Sequence, residues 1–476
     1  MLKVTANYTK NIELIHSHLA VDKSFDIVER KLVVGGRKTV LYYLNGFIKD
    51  DVMEDILKSF FKISVETMDS FKSADEFMLH EIPHVSVAKE NDLTKVIDAL
   101  LCGQTILYID KYEYFWIIDL RTYPGKDSSE PEKEKTLRGS RDAFIEKLVF
   151  NTGFIRRRIR DPRLVFEIHQ VGTMSKTDVC VAYIDGVADE KVHQKIVNSI
   201  AKIDLNALTV GDQSLVDAMI KKNTFTPFPK VRYTERPDVT AAHLVEGKFV
   251  IFVDNSPNVI ILPTTVFDFT QDINDYYFPL FTGNYLRLVR NLTVFATIFL
   301  IPIFLLYIDG SIRLPAFFDF LRPEADYRIP MFWQFFILEF AIDGLKLASL
   351  NTPNPLGTSL SVIGGLIIGE YAINTGWFTD QSILYMSVVA LAGFTQPSIE
   401  MNYACKFART LLLIFSQLFG VYGLIGGTLL ILIIMWRTKT IVGEPYFYPL
   451  IPFNWRKLKT LLFRTKTTKQ VQESYK

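Results

Sequence analysis
Three cysteines among 476 residues, Cys102, Cys180 and Cys405, are too few for a disulfide framework. They read as small buried hydrophobes in a reducing or membrane-buried setting. The first apolar stretch is broken by charges within a few residues, so no N-terminal signal peptide is expected. No GxGxxG follows a strand-like run, and the chain has no P-loop, GxSxG or HExxH. Seven histidines occur, but no Cys/His spacing fits a zinc site. The sequence therefore predicts no enzyme, no cofactor and no metal. Neither charge sign is in excess, with 53 Lys+Arg against 52 Asp+Glu, and no nucleic-acid partner is expected.

What is abundant is apolar: 49% of residues are hydrophobic against 22% charged. Those proportions exclude disordered and collagen-like chains, and they fit together only if the apolar residues are concentrated in one part. They gather beyond residue 290. Residues 291–308 carry no charge and span roughly 27 Å as a helix, just enough for a bilayer core. Residues 381–399 are also uncharged, and 359–377 hold only Glu370. The run 410–436 is roughly 40 Å long as a straight helix and is expected to tilt or protrude. In 331–349, Glu339, Asp343 and Lys346 fall at i, i+4 and i+7 and share one helical face. That pattern predicts an interfacial helix, or one whose polar stripe faces a protein interior.

Residues 437–476 hold nine Lys/Arg against Glu444 and Glu473, a net of +7 that leaves −6 for the residues before them. The tail reads as a membrane-surface anchor attracted to anionic lipid. Arg287 and Arg290 flank the first apolar run. Both ends are thus expected on the cytoplasmic side, which requires an even number of crossings. Four spans plus the amphipathic segment satisfy this, with Lys406 and Arg409 outside against the usual rule.

The polar region before residue 290 contains an internal repeat. VLYYLNGFIKDDVMEDI (40–56) matches CVAYIDGVADEKVHQKI (180–196) at an offset of 140, each an apolar run, an Asn/Asp-Gly turn and a helix-like period. GQTILYIDKYEYFWI (103–117) matches GKFVIFVDNSPNVII (247–261) at an offset of 144, each read as a β-hairpin turning near Asp110 or Asp254. The predicted fold is an α/β region of two duplicated subdomains followed by an α-helical transmembrane domain. The expected limits are an N-terminal segment 1–24, a first subdomain 25–130 and a linker with an arginine-rich helix 131–164. A second subdomain 165–285, a membrane domain 286–436 and a basic tail 437–476 follow. The helix-like run is expected over 138–160.

Few residues invite a chemical role. Asp110 and Asp254 read as turn residues rather than catalytic carboxylates. Arg156, Arg157, Arg158 and Arg160 suit a phosphate or nucleic-acid contact, a solvated face or a salt-bridge strip between subdomains, the last two favoured by the acidic surroundings. Glu235, Arg236 and Asp238 in YTERPD form a polar turn able to pair ions between subdomains. In SVIGGLIIGE (361–370), Gly364, Gly365 and Gly369 permit close helix approach or line a pore. Glu370 suggests an ion path, or a Glu near the interface or paired with a neighbour.

The motifs RGSRDAFIEKL (138–148), NTGFIRRRIRDP (151–162), PFPKVRYTERPD (227–238) and LSVIGGLIIGE (360–370) resemble the GerA family, the A subunits of bacterial spore germinant receptors. The short N-terminus and VGDQSLVDAMI (210–220) are closer to its SpoVAF-like branch. The resemblance implies a multi-pass protein of the spore inner membrane with a cytoplasmic N-terminal domain. It also implies homo-oligomeric channels that release monovalent cations or amplify that release. Partners would be the lipid bilayer, further copies of the chain, and receptor B and C subunits or a small membrane protein. On that reading Gly364, Gly365, Gly369 and Glu370 line or pack the conduction path. Glu339 and Asp343 form an acidic vestibule, and Arg156–Arg158 with Glu235–Asp238 couple the subdomains. A non-conducting scaffold that recruits germination proteins is the alternative.

Overall fold
The computed structural model describes residues 3–123, 131, 134–220, 226–323, 327–351 and 370–464. They divide into an α/β unit, up to residue 222 with 231–263, and a helical unit made of 223–230 and the residues from Thr264 on. The second subdomain therefore ends near Leu262, not 285: the segment after Pro263 packs with the helices.

The α/β unit opens with α1 (Tyr8–His18), N-capped by Asn7. Ile15 and Leu19 bury its inner face in the first core, so the N-terminal segment is part of that subdomain. Strands β1 (Ile27–Val34) and β2 (Arg37–Leu44) form a hairpin across Gly35-Gly36, both at positive φ. Helices α2 (Asp50–Phe60), α3 (Val65–Ser70) and α4 (Ala74–Glu81) lead to β3 (Val87–Glu90). Then come α5 (Leu93–Leu101), β4 (Thr105–Ile109) and β5 (Phe115–Ile118). The second half runs α6 (Leu148–Arg158), β6 (Leu164–Val171), β7 (Thr177–Ile184), α7 (Glu190–Ala201) and α8 (Gly211–Met219). It closes with β8 (Arg232–Thr234), α9 (Pro237–Val245), β9 (Phe249–Val253) and β10 (Val259–Leu262).

Both sheets are antiparallel and share one order, β1-β2-β4-β5-β3 and β6-β7-β9-β10-β8. The sequence offsets fall on equivalent elements: β2 and β7 coincide at 140, and β4/β9, β5/β10 and α5/α9 at 144. Gly46 and Gly186, matched by the repeat, have φ of 81° and 75°, a region costly for residues with a Cβ. The helix expected over 138–160 is shorter. Gly139 has φ 112°, and Asn151 bonds both backbone groups of Ile145, which holds the stretch before Leu148 extended.

The helical unit contains α10 (Asn274–Tyr277), α11 (Leu280–Ile308), α12 (Met331–Asn351), α13 (Asp380–Phe394), α14 (Ile399–Arg437) and α15 (Trp455–Leu462). Among the described residues, α11 and α14 are long and apolar enough to cross a membrane. At 15 residues, α13 is roughly 22 Å long, short of a bilayer core by itself. The glycine segment 364–369 lies outside the described residues.

One feature overturns the reading of 410–436 as a tilted or protruding helix. Straight, α14 would be roughly 58 Å long, and Met401 would lie roughly 50 Å from Ile434. Instead Met401, Ala404 and Cys405 share a core with Ile431, Ile434 and Met435. The helix reverses at Gly420 (φ 60°, ψ −140°), a backbone state open essentially to glycine. Gly423 and Gly427 then lie against Phe415 and Leu412, where a Cβ would collide. We call the arms α14a (399–419) and α14b (421–437). Cysteines placed at Leu412 and Gly427, in a chain whose native cysteines are alanine, should join under mild oxidation. A straight helix would hold them roughly 22 Å apart and give no disulfide.

Candidate functional site: a charge cluster between helices
Helix α12 carries its acids at i and i+4, and α14a carries Lys406 and Arg409 at i and i+3, so each pair occupies one face. The structure turns those faces together. Arg409 grips Glu339 with two parallel bonds, Nε to Oε1 at 2.5 Å and Nη2 to Oε2 at 2.8 Å. Its Nη1 donates to the Thr297 carbonyl of α11 at 2.9 Å. Pro302 follows in the next turn of α11 and cannot donate to Ile298, so the helix ladder is already open there. Lys406 pairs with Asp343 and donates to the Glu339 carbonyl at 3.3 Å. Glu339 and Arg409 are only 4% and 5% exposed.

A cleft opens beside the cluster, bordered by Ile342, Lys346, Met386, Gly393 and Asn402. It offers about 20 Å³ to water centres, room for a water molecule or two. The Lys346 ammonium sits 5.4 Å from the Phe394 ring centroid and 5.8 Å from that of Tyr403. Two carboxylates thus face three cations. Asn402 abuts Gly393, leaving no room there for a methyl group.

A second network joins the two sheets of the α/β unit. Arg156 on α6 is fully buried and bonds Asp26, just before β1, at 2.7 and 3.3 Å. It also donates to the carbonyls of Leu164 and Asp161, and its guanidinium stacks over Phe166. Ser24 and Phe25 exchange backbone and hydroxyl bonds with Phe166 across the same joint. Next to it, the bond from the Arg163 guanidinium holds the Asp161 carboxyl below the usual carboxylate range.

The sequence profile of the Bacillus/Clostridium GerA spore germination proteins matches residues 14–474. The chain belongs to the GerA family. Stage V sporulation protein AF of Bacillus subtilis (strain 168) is 36% identical over 464 residues, 98% of this chain and 94% of that protein. Spore germination protein KA of the same organism is 27% identical over 482 residues, 97% of this chain and 85% of that one. The crystal structure of the N-terminal domain of the A subunit of the Bacillus megaterium spore germinant receptor GerK3 aligns at TM-score 0.43 and 25% identity. It covers 55% of this chain and 96% of that one.

In this GerA chain the expected site residues separate into distinct groups. Arg156 and Arg157 bridge the halves: Arg157 stacks over Tyr123 at 4.8 Å, at the end of the first subdomain. Arg158 instead bonds Ser140 and Asp142. Arg236, chelated by Asp238, donates to the Glu134 and Ser140 carbonyls, so YTERPD fastens the linker rather than the joint. The backbone carbonyl of Glu235 accepts from the Phe144 N–H.

Glu339 and Asp343 do not form an acidic vestibule within this chain, because Arg409 and Lys406 neutralise them. Those two cations, expected on the outer side of the membrane, pack against the acids of α12. Glu370 is exposed; Gly364, Gly365 and Gly369 lie outside the described residues. Sequence reasoning missed Asp26, whose partner lies 130 positions away, and the basic pair on α14a, whose spacing complements the α12 acids.

Proposed function
We propose that this GerA-family protein is a membrane subunit of the spore germination machinery that assembles with copies of itself into a cation-conducting channel. It either releases monovalent cations or amplifies that release. The role is non-enzymatic and needs no cofactor. The observation that carries the reading is the Glu339–Arg409–Lys406–Asp343 cluster beside a water-sized cleft, among helices that are otherwise apolar. Ionisable groups at such depth are expensive and mark ion paths or the elements that gate them.

The helix ends support a topology with an even number of crossings. Thr293, at the start of the uncharged run of α11, meets Thr395 past the end of α13, and Gln334 near the start of α12 holds the Thr379 cap of α13. So α11 runs against α12 and α13. Because α13 ends on the side where the uncharged run of α11 begins, and α14 folds back at Gly420, both termini fall on one side whatever the count of crossings. The basic flanks make that side cytoplasmic. A route of this kind is enclosed by copies gathering around an axis, with Gly364, Gly365, Gly369 and Glu370 as the proposed lining.

Purified protein in liposomes tests this. An oligomer passing potassium is expected, with flux altered in Glu370→Gln and Gly365→Leu. A monomer that passes no ion sinks the channel reading. It would favour a scaffold for receptor subunits or a small membrane partner, a role that the internally neutralised carboxylates suit.

A further inference from the structure
We propose that the segment from Leu450 to Phe463, centred on α15, is a docking surface for the anionic phospholipid headgroups of the membrane that holds the chain. The inference rests on the membrane reading of the helical unit. Leu458 is buried and fixes one side of α15. Phe453, Trp455, Leu462 and Phe463 are exposed, and so are Arg456 and Lys459 among them. Exposed aromatics interleaved with exposed cations suit neither water nor hydrocarbon alone. They suit the layer where acyl chains meet phosphates.

The height of this segment is fixed by hydrogen bonds. Arg464, two residues beyond α15, bonds through its backbone N–H to the Asn284 side chain of α11. Its guanidinium donates to the carbonyls of Asp275, Tyr276 and Phe278. Arg287 donates to the Leu461 carbonyl at 2.9 Å and also to the buried Asp275 carboxylate. Arg287 precedes the uncharged run that begins at 291 by about one helical turn, roughly 6 Å, and Asn284 by about two, roughly 10 Å. A headgroup layer is roughly 5–8 Å deep on each side. On α11, Phe281, Tyr285, Leu288 and Leu292 continue one exposed stripe past that level. The Arg287 contact therefore holds the C-terminal end of α15 at the level of the phosphates, and the exposed charge of the segment has the complementary sign.

Amide exchange on the full chain in nanodiscs tests the proposal. Residues 455–463 should exchange at least about tenfold more slowly in phosphatidylglycerol discs than in phosphatidylcholine discs. The difference should disappear in Arg456→Gln/Lys459→Gln and shrink in high salt. Equal exchange in the two lipids, with α11 protected in both, overturns this proposal alone. That result is also what a surface for a protein partner or a second copy would give. An unprotected α11 overturns both this proposal and the membrane reading beneath it.

Discussion

Arg409→Ala should destabilise the helical unit by about 3–5 kcal/mol, because it leaves Glu339 charged and buried without its partner. The expected readout is a lower thermal midpoint, or loss of folded protein, for the detergent-solubilised chain. Arg409 also donates to the Thr297 carbonyl, so the change removes a contact to α11 as well as a charge. The informative comparison is the double replacement Glu339→Met/Arg409→Met. Removing both charges and keeping volume should recover most of the loss, since the desolvation of the pair disappears with it. If the double variant is as unstable as the sum of the two single changes, the two side chains are not coupled and the cluster is misassigned. Ion flux separates stability from function. If the cluster gates conduction, the double variant should fold and still conduct abnormally.

Asp26→Ala is expected to loosen the joint between the two sheets by a similar amount, about 3–5 kcal/mol. Arg156 would keep its bonds to the Leu164 and Asp161 carbonyls but lose its carboxylate partner. Ser24 would lose the acceptor that orients its hydroxyl towards Phe166. Amide exchange should therefore rise at the start of β1 and in β6, while β4, β5, β9 and β10, inside their own sheets, change little. A uniform rise across both sheets would mean that the pair stabilises the subdomains themselves rather than the joint. The matching test, Arg158→Ala, removes bonds to Ser140 and Asp142 at a half-exposed site and should move exchange by far less.

Much of the α/β unit was legible because its signals are local. An apolar run, an Asn-Gly or Asp-Gly turn and a helical period each depend on neighbours within about ten residues. Repeated at nearly constant offset, they gave the duplication directly, and the matched glycines at 46 and 186 adopt the same left-handed turn. Strand order was not local. Nothing in residues 87–90 or 232–234 says that β3 and β8 pair at the far edge of their sheets, next to β5 and β10. The helix over 138–160 misread for a related reason: the arginine run is helical, but the Asn151 side chain captures the backbone ahead of it, a contact that composition does not display.

The helical unit was legible as apolar and misread as to shape. Counting uncharged residues in 410–436 gives length, and length alone suggests one long helix. A single glycine in a conformation that only glycine tolerates turns it into two antiparallel arms. The candidate site followed the same pattern. The acids of α12 were visible at helical spacing, and Lys406 and Arg409 were visible as charges in the wrong place. That each resolves the other required the two helices side by side.

By itself the sequence determined the duplicated α/β architecture, the concentration of apolar helices beyond residue 290, and the basic end, because periodicity and composition act over short stretches of chain. Tertiary structure decided which charges meet. A carboxylate among apolar helices is either an open ligand or half of a neutral pair, and only the position of a guanidinium 70 residues away, brought within 2.5 Å, settles which.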